Sequence, residues 1–198
     1  NLLDLDAAQA TVERFPASEG AAAVVIKHTN PCGVATGRDA SDALARAIAA
    51  DPVSAFGGIV ALNQPLDGAA CASLQGLFLE CIVAPEISAE AREILSSKSN
   101  LRLLELPAAA SAAATRQQLR SVLGGVLLQE RDQISDDDSA WQVVSQRQPD
   151  AEEMADLRFA WRVVRHVRSN AIVVAKAGQS LGVGAGQMNR VGSAGIAL

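Results

Sequence analysis

Lys27 and His28 are two residues with acid–base chemistry that stand side by side directly after the apolar run AAVVI. The length of that run and its β-branched residues predict a buried strand. A loop is predicted next, since Pro31 lacks an N–H group and Gly33 tolerates a positive φ. An ammonium group and an imidazole are therefore expected just beyond the carboxyl end of a core strand, where open α/β sheets bind ligands.

Two interpretations of this pair stay open on the residues alone. In the functional interpretation His28 is a general base, and the neighbouring cation favours the neutral form of its imidazole. Lys27 then stabilises a developing oxyanion. In the structural interpretation the two side chains are only a surface pair at a strand end. The residue types by themselves favour the second, and the position before a Pro-Cys-Gly sequence favours the first.

Metal chemistry is disfavoured by the number of ligands. His28 and the Pro-Cys pair after it are similar to the H-x-E and P-C-x-x-C pattern of zinc deaminases, but Asn30 and Ala35 replace the glutamate and the second cysteine. The other histidine, His166, falls in an amphipathic helix, and catalytic zinc needs three protein ligands. We therefore expect no zinc. Cys32 as a nucleophile is the weaker alternative to a packing role, because nothing in the sequence marks its thiol as activated.

The composition is that of an acidic, alanine-rich chain of 198 residues with a net charge of −5. The excess of acidic residues argues against a nonspecific nucleic-acid partner, and any anionic ligand must be met by local donors. Three scattered cysteines indicate a reducing compartment, and neither a membrane span nor a signal segment is present. A cytoplasmic protein is expected, and both chain ends suggest a piece of something longer.

Helices and strands are predicted to alternate over residues 1–106. The predicted helices are residues 1–16 (with Asp4 or Asp6 as N-cap), 41–50, 67–79 and a short helix from Ser88. The predicted strands are the apolar run before Lys27 and residues 59–62, 80–84 and 101–106. Four alternations predict an α/β fold with a largely parallel sheet and helices on both faces. Residues 107–149 are predicted to be a variable excursion, a strand at 124–129 and a solvated loop at 131–139.

Residues 150–198 are predicted to form an amphipathic helix and a glycine-rich hairpin. Asp150 and Glu153 predict a capping box, and apolar residues then follow at helical spacing to Val167, with the helix ending near Ser169. The outward arginines predict a solvated face or an oligomer contact; they are Arg158, Arg162, Arg165 and Arg168. Strands are expected at 171–176 and 180–183.

Two residues of this last region are candidate ligand contacts. Asn170, at the helix-to-strand junction, is equally consistent with a cap and with an amide that binds a ligand. The sequence GVGAGQMNR is only weakly similar to a phosphate-binding loop, because the strand–glycine–helix order is absent. Its most useful feature is Arg190, whose fork-shaped side chain suits phosphate.

Several long motifs, in order and at consistent spacing, resemble one known family. They are IKHTNPCGVATG, DPVSAFGGIVALN, CIVAP, GGVLLQERD, FAWRVVRHVRSNAIVVAK and GVGAGQMNRV. Together they are similar to the transformylase domain of the bifunctional purine-biosynthesis family, which joins 5-aminoimidazole-4-carboxamide ribonucleotide (AICAR) formyltransferase to IMP cyclohydrolase. The similarity runs through nearly all of residues 1–198 and is weakest at 105–120. The cyclohydrolase domain and the C-terminal folate-site segment of the family are not among these residues.

The resemblance implies a cytidine-deaminase-like fold without zinc. It also implies transfer of a formyl group from 10-formyltetrahydrofolate to the 5-amino group of AICAR in a homodimer, with active sites at the dimer interface. A monovalent cation, potassium, near Ser169 is a further expectation. The alternatives are a catalytically inert structural or nucleotide-binding piece of that domain, and a metal-free deaminase relative that acts on another base.

The family pattern also implies residue roles. Lys27 is expected to stabilise the transition state, His28 to accept the proton, and Asn170 to orient the carboxamide and amine. The expected nucleotide contacts are His28, Phe56, Gly57, Glu80, Asn170 and Arg190. Val191 is expected to touch the folate.

Overall fold

A seven-stranded sheet organises the computed structural model, which describes residues 1–107, 117–132 and 137–198. The strands are β1 (Ala21–Lys27), β2 (Asn30–Gly37), β3 (Gly58–Leu62), β4 (Leu79–Ala84), β5 (Arg102–Glu105), β6 (Gln117–Val122), β7 (Gly125–Glu130), β8 (Ile172–Lys176) and β9 (Gln179–Gly184). The helices are α1 (Leu2–Val12), α2 (Ala40–Ala50), α3 (Ala89–Leu95), α4 (Ala151–Val164) and α5 (Arg190–Ala197). The sheet order is β5–β4–β3–β1–β2–β9–β8, and β6 pairs with β7 in a separate hairpin.

The sheet is parallel in one half and antiparallel in the other. β3, β4 and β5 pair in parallel, as the alternating pattern predicts. The remaining adjacent pairs are antiparallel, which differs from the expectation of a largely parallel sheet. The reason is that β1–β2 and β8–β9 are joined by tight hairpins, whereas parallel strands need a longer crossover. The α/β class is confirmed, and the cytidine-deaminase-like fold stays a prediction.

Helices cover both faces of this sheet, as predicted. On one face α2, α3 and a short 3₁₀ helix (Ala70–Leu74) pack against side chains such as Val25 and Val60. On the other face α1 and α4 pack against Ile26 and Val83. Strand alternation places neighbouring side chains of β1 on opposite faces, so an almost wholly buried strand serves two cores.

The segment after the β1–β2 turn is a strand, so the loop predicted there is wrong. Pro31 is accommodated because the register of β1 against β2 shifts after Val25, and irregular positions tolerate a proline inside a sheet. Gly33 does not adopt a positive φ. Its role is close packing, since a Cβ atom there would lie 2.0 Å from the carbonyl oxygen of Ala47 in α2.

Gly33→Ala is expected to destabilise the fold by about 3 kcal/mol, because the added methyl group meets helix backbone that cannot rotate away. The measurement is the free energy of unfolding from urea titration. Gly195→Ala is the matched control: it lies in α5, and a Cβ atom there meets nothing within 4 Å. Equal unfolding midpoints for the two variants would show that the β2–α2 contact is not tight.

Two predicted helices are shorter in the structure. Residues 67–79 form only the 3₁₀ helix, in which Asp67 accepts a hydrogen bond of 2.8 Å from the backbone N–H of Ala70. Gly68 and Gly76 lie in this stretch, and glycine weakens an α-helix; Gly76 also has a φ of +72°. Helix α4 has the predicted capping box but ends at Val164 rather than near Ser169.

The region between the two halves is partly outside the described residues. The predicted strand at 124–129 is present as β7, whereas its partner β6 was not predicted. The predicted excursion at 107–115 and the loop at 131–139 fall largely on residues 108–116 and 133–136, outside the described residues.

The arginines of α4 form ion pairs with other segments, so the solvated-face interpretation is wrong for them. Arg162 also lies 5.7 Å from the centroid of the Phe15 ring, and the side chain of Arg165 is only 10% exposed. The ion pairs are Arg158–Asp138, Arg162–Glu19 (2.7 Å) and Arg165–Asp132 (3.0 Å). These contacts tie α4 to three other parts of the chain. Among the described residues, no helix combines the length and the apolar character needed to cross a bilayer.

Candidate active site

The predicted site residues before residue 100 lie at one end of the sheet. β1 ends there at Lys27, and β3 and β4 begin there because β1 and β3 are antiparallel while β3 and β4 are parallel. Phe56 and Gly57 therefore precede β3 at this end, and Glu80 is the second residue of β4. The rim combines the carboxyl end of β1 with the amino ends of β3 and β4, which differs from the expected all-carboxyl rim.

The later candidates lie at the same end. β8 runs antiparallel to β9, and β9 antiparallel to β2, so β8 begins at this rim just after Asn170. β9 ends there and leads to Arg190 and Val191, the first residues of α5. Asn170 and the Lys27–His28 pair, about 140 positions apart in sequence, thus share one rim of the sheet.

His28 and Thr29 form the two-residue turn between β1 and β2. Their φ values are 51° and 64°, as in the hairpin turns whose twist matches the flanking strands. The left-handed region costs a residue with a Cβ atom roughly 1–2 kcal/mol. Strain of this kind is found at functional sites when the surroundings hold it in place. The His28 side chain is exposed at the tip of the turn.

The turn is held on two sides. The backbone N–H of Thr29 donates to the carboxylate of Asp4 at 2.6 Å. Asp4 was predicted as an N-cap of α1, which is wrong, because Asn1 occupies that position. On the other side, the guanidinium of Arg168 donates to the Thr29 hydroxyl from Nε at 3.1 Å and from Nη2 at 3.0 Å.

Lys27 is fixed against the turn before β3. Its ammonium group donates to the carbonyl oxygen of Phe56, and a Cβ atom at position 57 would lie 3.0 Å from its Nζ. Gly57 has a φ of +69° and donates its N–H to the carbonyl of Phe78 at 2.8 Å. The Phe56 and Phe78 rings pack with centroids 5.4 Å apart. The structure thus brings Lys27, Phe56 and Gly57 together, as the family pattern implies.

Glu80 is already engaged by neighbouring side chains. Its carboxylate accepts hydrogen bonds of 3.0 Å from Arg102 and of 3.0 Å from the Asn1 amide. β4 lies five strand spacings from β8, about 24 Å in a sheet. Glu80 and Asn170 therefore flank the Lys27–His28 pair from opposite sides rather than touching each other.

Asn170 is held to the glycine-rich loop after β9. Its backbone N–H and its Nδ2 both donate to the carbonyl of Gln187, at 3.1 and 3.0 Å, and its own carbonyl accepts from the Ser193 hydroxyl at 2.7 Å. The Ser169–Asn170 peptide bond is cis. Within the described parts of the chain, no donor meets the Oδ1 atom of Asn170.

Arg190 and Val191 open α5 and are exposed. Asn189 caps the helix by accepting a hydrogen bond of 2.6 Å from the N–H of Gly192. The side chain of Arg190 makes no hydrogen bond or ion pair to the residues that the structure describes. Its fork of donors is therefore available to a ligand.

Cys32 has the properties of a packing residue. Its thiol is largely buried and donates to the carbonyl of Val25 at 3.5 Å. Burial, and next the nearby charge of Asp51, raise the pKa of this thiol to about 12. The thiolate, which is the nucleophilic form, is therefore strongly disfavoured.

We expect Cys32 to resist alkylation by iodoacetamide at pH 8 in the folded protein and to react after unfolding. With a pKa of about 12 only about one thiol in ten thousand is ionised at that pH. Because the folded-state pKa lies above the ordinary value of 9.0, this thiol also makes folding less favourable as the pH rises from about 9 to about 12. Mass spectrometry of native and denatured samples is the measurement, and rapid native labelling would contradict the packing role.

Among the described residues, no three His, Cys, Asp or Glu side chains come together as a metal site would require.

Comparison with known proteins identifies the family. The family model described as "AICARFT/IMPCHase bienzyme" matches residues 1–198. The chain belongs to the AICARFT/IMPCHase bienzyme family. It is 64% identical over 206 residues to the bifunctional purine biosynthesis protein PurH of Synechococcus sp. (strain CC9311), and 63% identical over 205 residues to that of Prochlorococcus marinus (strain MIT 9313). These similarities cover all of this chain but 39% and 40% of the relatives, so the chain spans about two fifths of their length.

Sequence reasoning missed three residues that hold the site of this AICARFT/IMPCHase bienzyme chain. Asp4 and Arg168 grip the turn from opposite sides, and Asn30 lies between the turn and the end of α4. No local pattern indicates these contacts, because 25 residues separate Asp4 from Thr29 and 138 separate Asn30 from Arg168. The presence of two bulky residues at the turn was the one signal that something else must hold it.

Proposed function

We propose that this chain forms part of a formyltransferase of purine biosynthesis, which moves a formyl group from 10-formyltetrahydrofolate to the 5-amino group of AICAR. The observation that supports it most is the gathering of Lys27, His28 and Asn170 at one rim of the sheet, in a chain of the AICARFT/IMPCHase bienzyme family.

His28 is the proposed proton acceptor. The amine of AICAR is conjugated with its ring and with an ortho carboxamide, which makes it a poor nucleophile. Proton removal must therefore accompany attack on the formyl carbon, and a positioned imidazole suits that step at neutral pH. The exposed His28 side chain at the tip of a tethered turn fits a base that must reach a bound substrate.

Lys27 is the proposed stabiliser of the tetrahedral intermediate. Attack on the formyl group places negative charge on its oxygen, and a fixed ammonium donor stabilises that charge. One N–H of Lys27 is directed to the Phe56 carbonyl, which fixes the group while two N–H bonds remain for the oxyanion.

The remaining candidates are proposed ligand contacts. The Oδ1 atom of Asn170 is a suitable acceptor for the amine or carboxamide N–H of AICAR, and Arg190 suits its phosphate. Phe56, Gly57 and Glu80 are proposed to contact the nucleotide, and Val191 the folate. A homodimer with shared active sites, a potassium ion near Ser169 and a folate pocket completed by groups beyond this chain belong to the same proposal.

A second candidate is a piece that binds the nucleotide without catalysis. The observation that favours it is coverage, since the chain spans about two fifths of its relatives. Titration calorimetry with AICAR and with a folate analogue, followed by a single-turnover formylation assay, separates the two. Formylation that depends on His28 supports the transferase, whereas AICAR binding without formylation supports the second candidate. A deaminase relative would convert its substrate without any formyl-folate.

A further inference from the structure

We propose that Thr29, Asn30 and Arg168, here called the turn clamp, are positioning residues that hold His28 in register with Asn170. The inference rests on the proposed function, in which His28 is the base. Nothing in the family pattern considered above gives these three residues a role.

The clamp is built from two contacts on one arginine. The backbone N–H of Arg168 donates to the Oδ1 atom of Asn30 at 3.0 Å, and its guanidinium donates twice to the Thr29 hydroxyl, at 3.1 and 3.0 Å. Two consecutive residues of the β1–β2 hairpin are therefore fixed to one residue that lies between α4 and β8. Contacts at two points restrict rotation of the turn as well as its displacement.

Asn30 carries this restraint to His28 itself. While its Oδ1 accepts from Arg168, its Nδ2 donates to the carbonyl oxygen of His28 at 3.2 Å. The hydroxyl of Thr29 also donates to that carbonyl, at 2.7 Å. The backbone of the proposed base is thus held by both neighbours, and both neighbours are held by Arg168.

The other side of Arg168 reaches the second half of the site. Its carbonyl oxygen accepts from the N–H of Gly186 at 2.7 Å, and two residues later Asn170 pairs with Gln187. The short segment 168–170 therefore lies between the turn that carries His28 and the glycine-rich loop that carries Asn170's partner. Moving either end shifts the base relative to the amide.

The turn needs such support because of its own residues. Hairpin turns of this geometry favour Asn-Gly, whereas His28 and Thr29 carry φ values of 51° and 64°, and a β-branched residue is especially unfavourable there. An unrestrained turn would relax and displace the imidazole. A misplacement of about 1 Å lowers a catalytic rate by roughly 10²-fold.

The test uses Thr29→Val and Arg168→Met in the natural protein that carries this sequence, with kcat and the KM for AICAR as readouts. Each change removes the same hydroxyl–guanidinium contact while keeping the size of the side chain and, for Val, its β-branching. We expect kcat to fall about 10- to 100-fold in each variant, with the KM for AICAR within about twofold. The double variant should be no worse than the worse single one, because both remove one contact.

Conservative variants and a structural readout separate positioning from folding. Thr29→Ser and Arg168→Lys keep a hydroxyl and a donor, and each should recover most of the lost kcat. The amide resonances of His28 and Asn170 should move together in Arg168→Met but not in Thr29→Ser. Arg92→Met, which removes an ion pair with Glu105 at the opposite end of the sheet, is the matched control and should leave kcat unchanged.

Each outcome has one consequence. Unchanged kcat in Thr29→Val and Arg168→Met, with His28→Asn inactive, overturns the clamp and leaves the proposed function intact. A raised KM with unchanged kcat in Arg168→Met also overturns it, since Arg168 would then contact the nucleotide. Full activity in His28→Asn removes the proposed function itself.

Discussion

Replacing His28 with asparagine is expected to lower kcat for AICAR formylation by about 10²- to 10⁴-fold, the range that a positioned general base contributes. The KM for AICAR should rise only a few-fold, because the proton transfer is lost while most ligand contacts stay. Asparagine is the informative replacement, since it tolerates the left-handed backbone that His28 adopts at φ 51°. The folded state should therefore be as stable as with histidine, which isolates the chemical effect.

Steady-state kinetics over a range of pH is the measurement. The pH dependence attributable to the base should disappear from kcat in the variant, together with the fall in rate. His166→Gln is the control, since it changes the other histidine, which lies beyond α4 and outside the rim. A His28→Asn enzyme with normal kcat would show that another group accepts the proton.

Lys27→Met is expected to lower kcat by about 10²- to 10³-fold, the cost of removing one preorganised donor from an oxyanion. Methionine keeps an unbranched stem against the Phe56–Gly57 turn, so the loss reports the charge rather than packing. Lys27→Arg should not restore the rate. A Cβ atom at position 57 would already lie 3.0 Å from Nζ, and the larger guanidinium does not fit that approach.

Single-turnover rates with bound AICAR measure this step without product release. Lys176→Met, at the far end of β8, is the matched control for loss of a lysine charge. If both variants kept the same rate, the ammonium group of Lys27 would have no part in the chemistry. If Lys27→Met lost AICAR binding instead of rate, its role would be binding of the nucleotide.

The sequence predicted those elements whose signals are local. The capping box at Asp150 and Glu153 and the buried runs that became β1, β3 and β4 follow from patterns within a few residues. Helix 67–79 was wrong because hydrophobic spacing was weighed above its two glycines. β2 was missed because Pro31 and Gly33 were taken as loop residues, whereas a register shift and a helix packed against Gly33 admit both in a central strand.

The predicted site was better specified than the sheet that carries it. The motifs nominated Lys27, His28, Asn170 and Arg190, and the structure places all four at one rim. The reason first given for that rim was only partly correct, because β3 and β4 begin there instead of ending there. What makes these positions converge is the antiparallel pairing of β1 with both of its neighbours.

The amino-acid sequence by itself determined the α/β class, the residues able to exchange protons and hold an oxyanion, and membership of the AICARFT/IMPCHase bienzyme family. Only the tertiary structure decided strand direction, the left-handed turn under His28, and the grip of Asp4 and Arg168 on that turn. The physical reason is range. Capping, periodicity and residue chemistry act over a few positions, whereas the contacts of Arg168 with the turn join residues 138 and 139 positions apart.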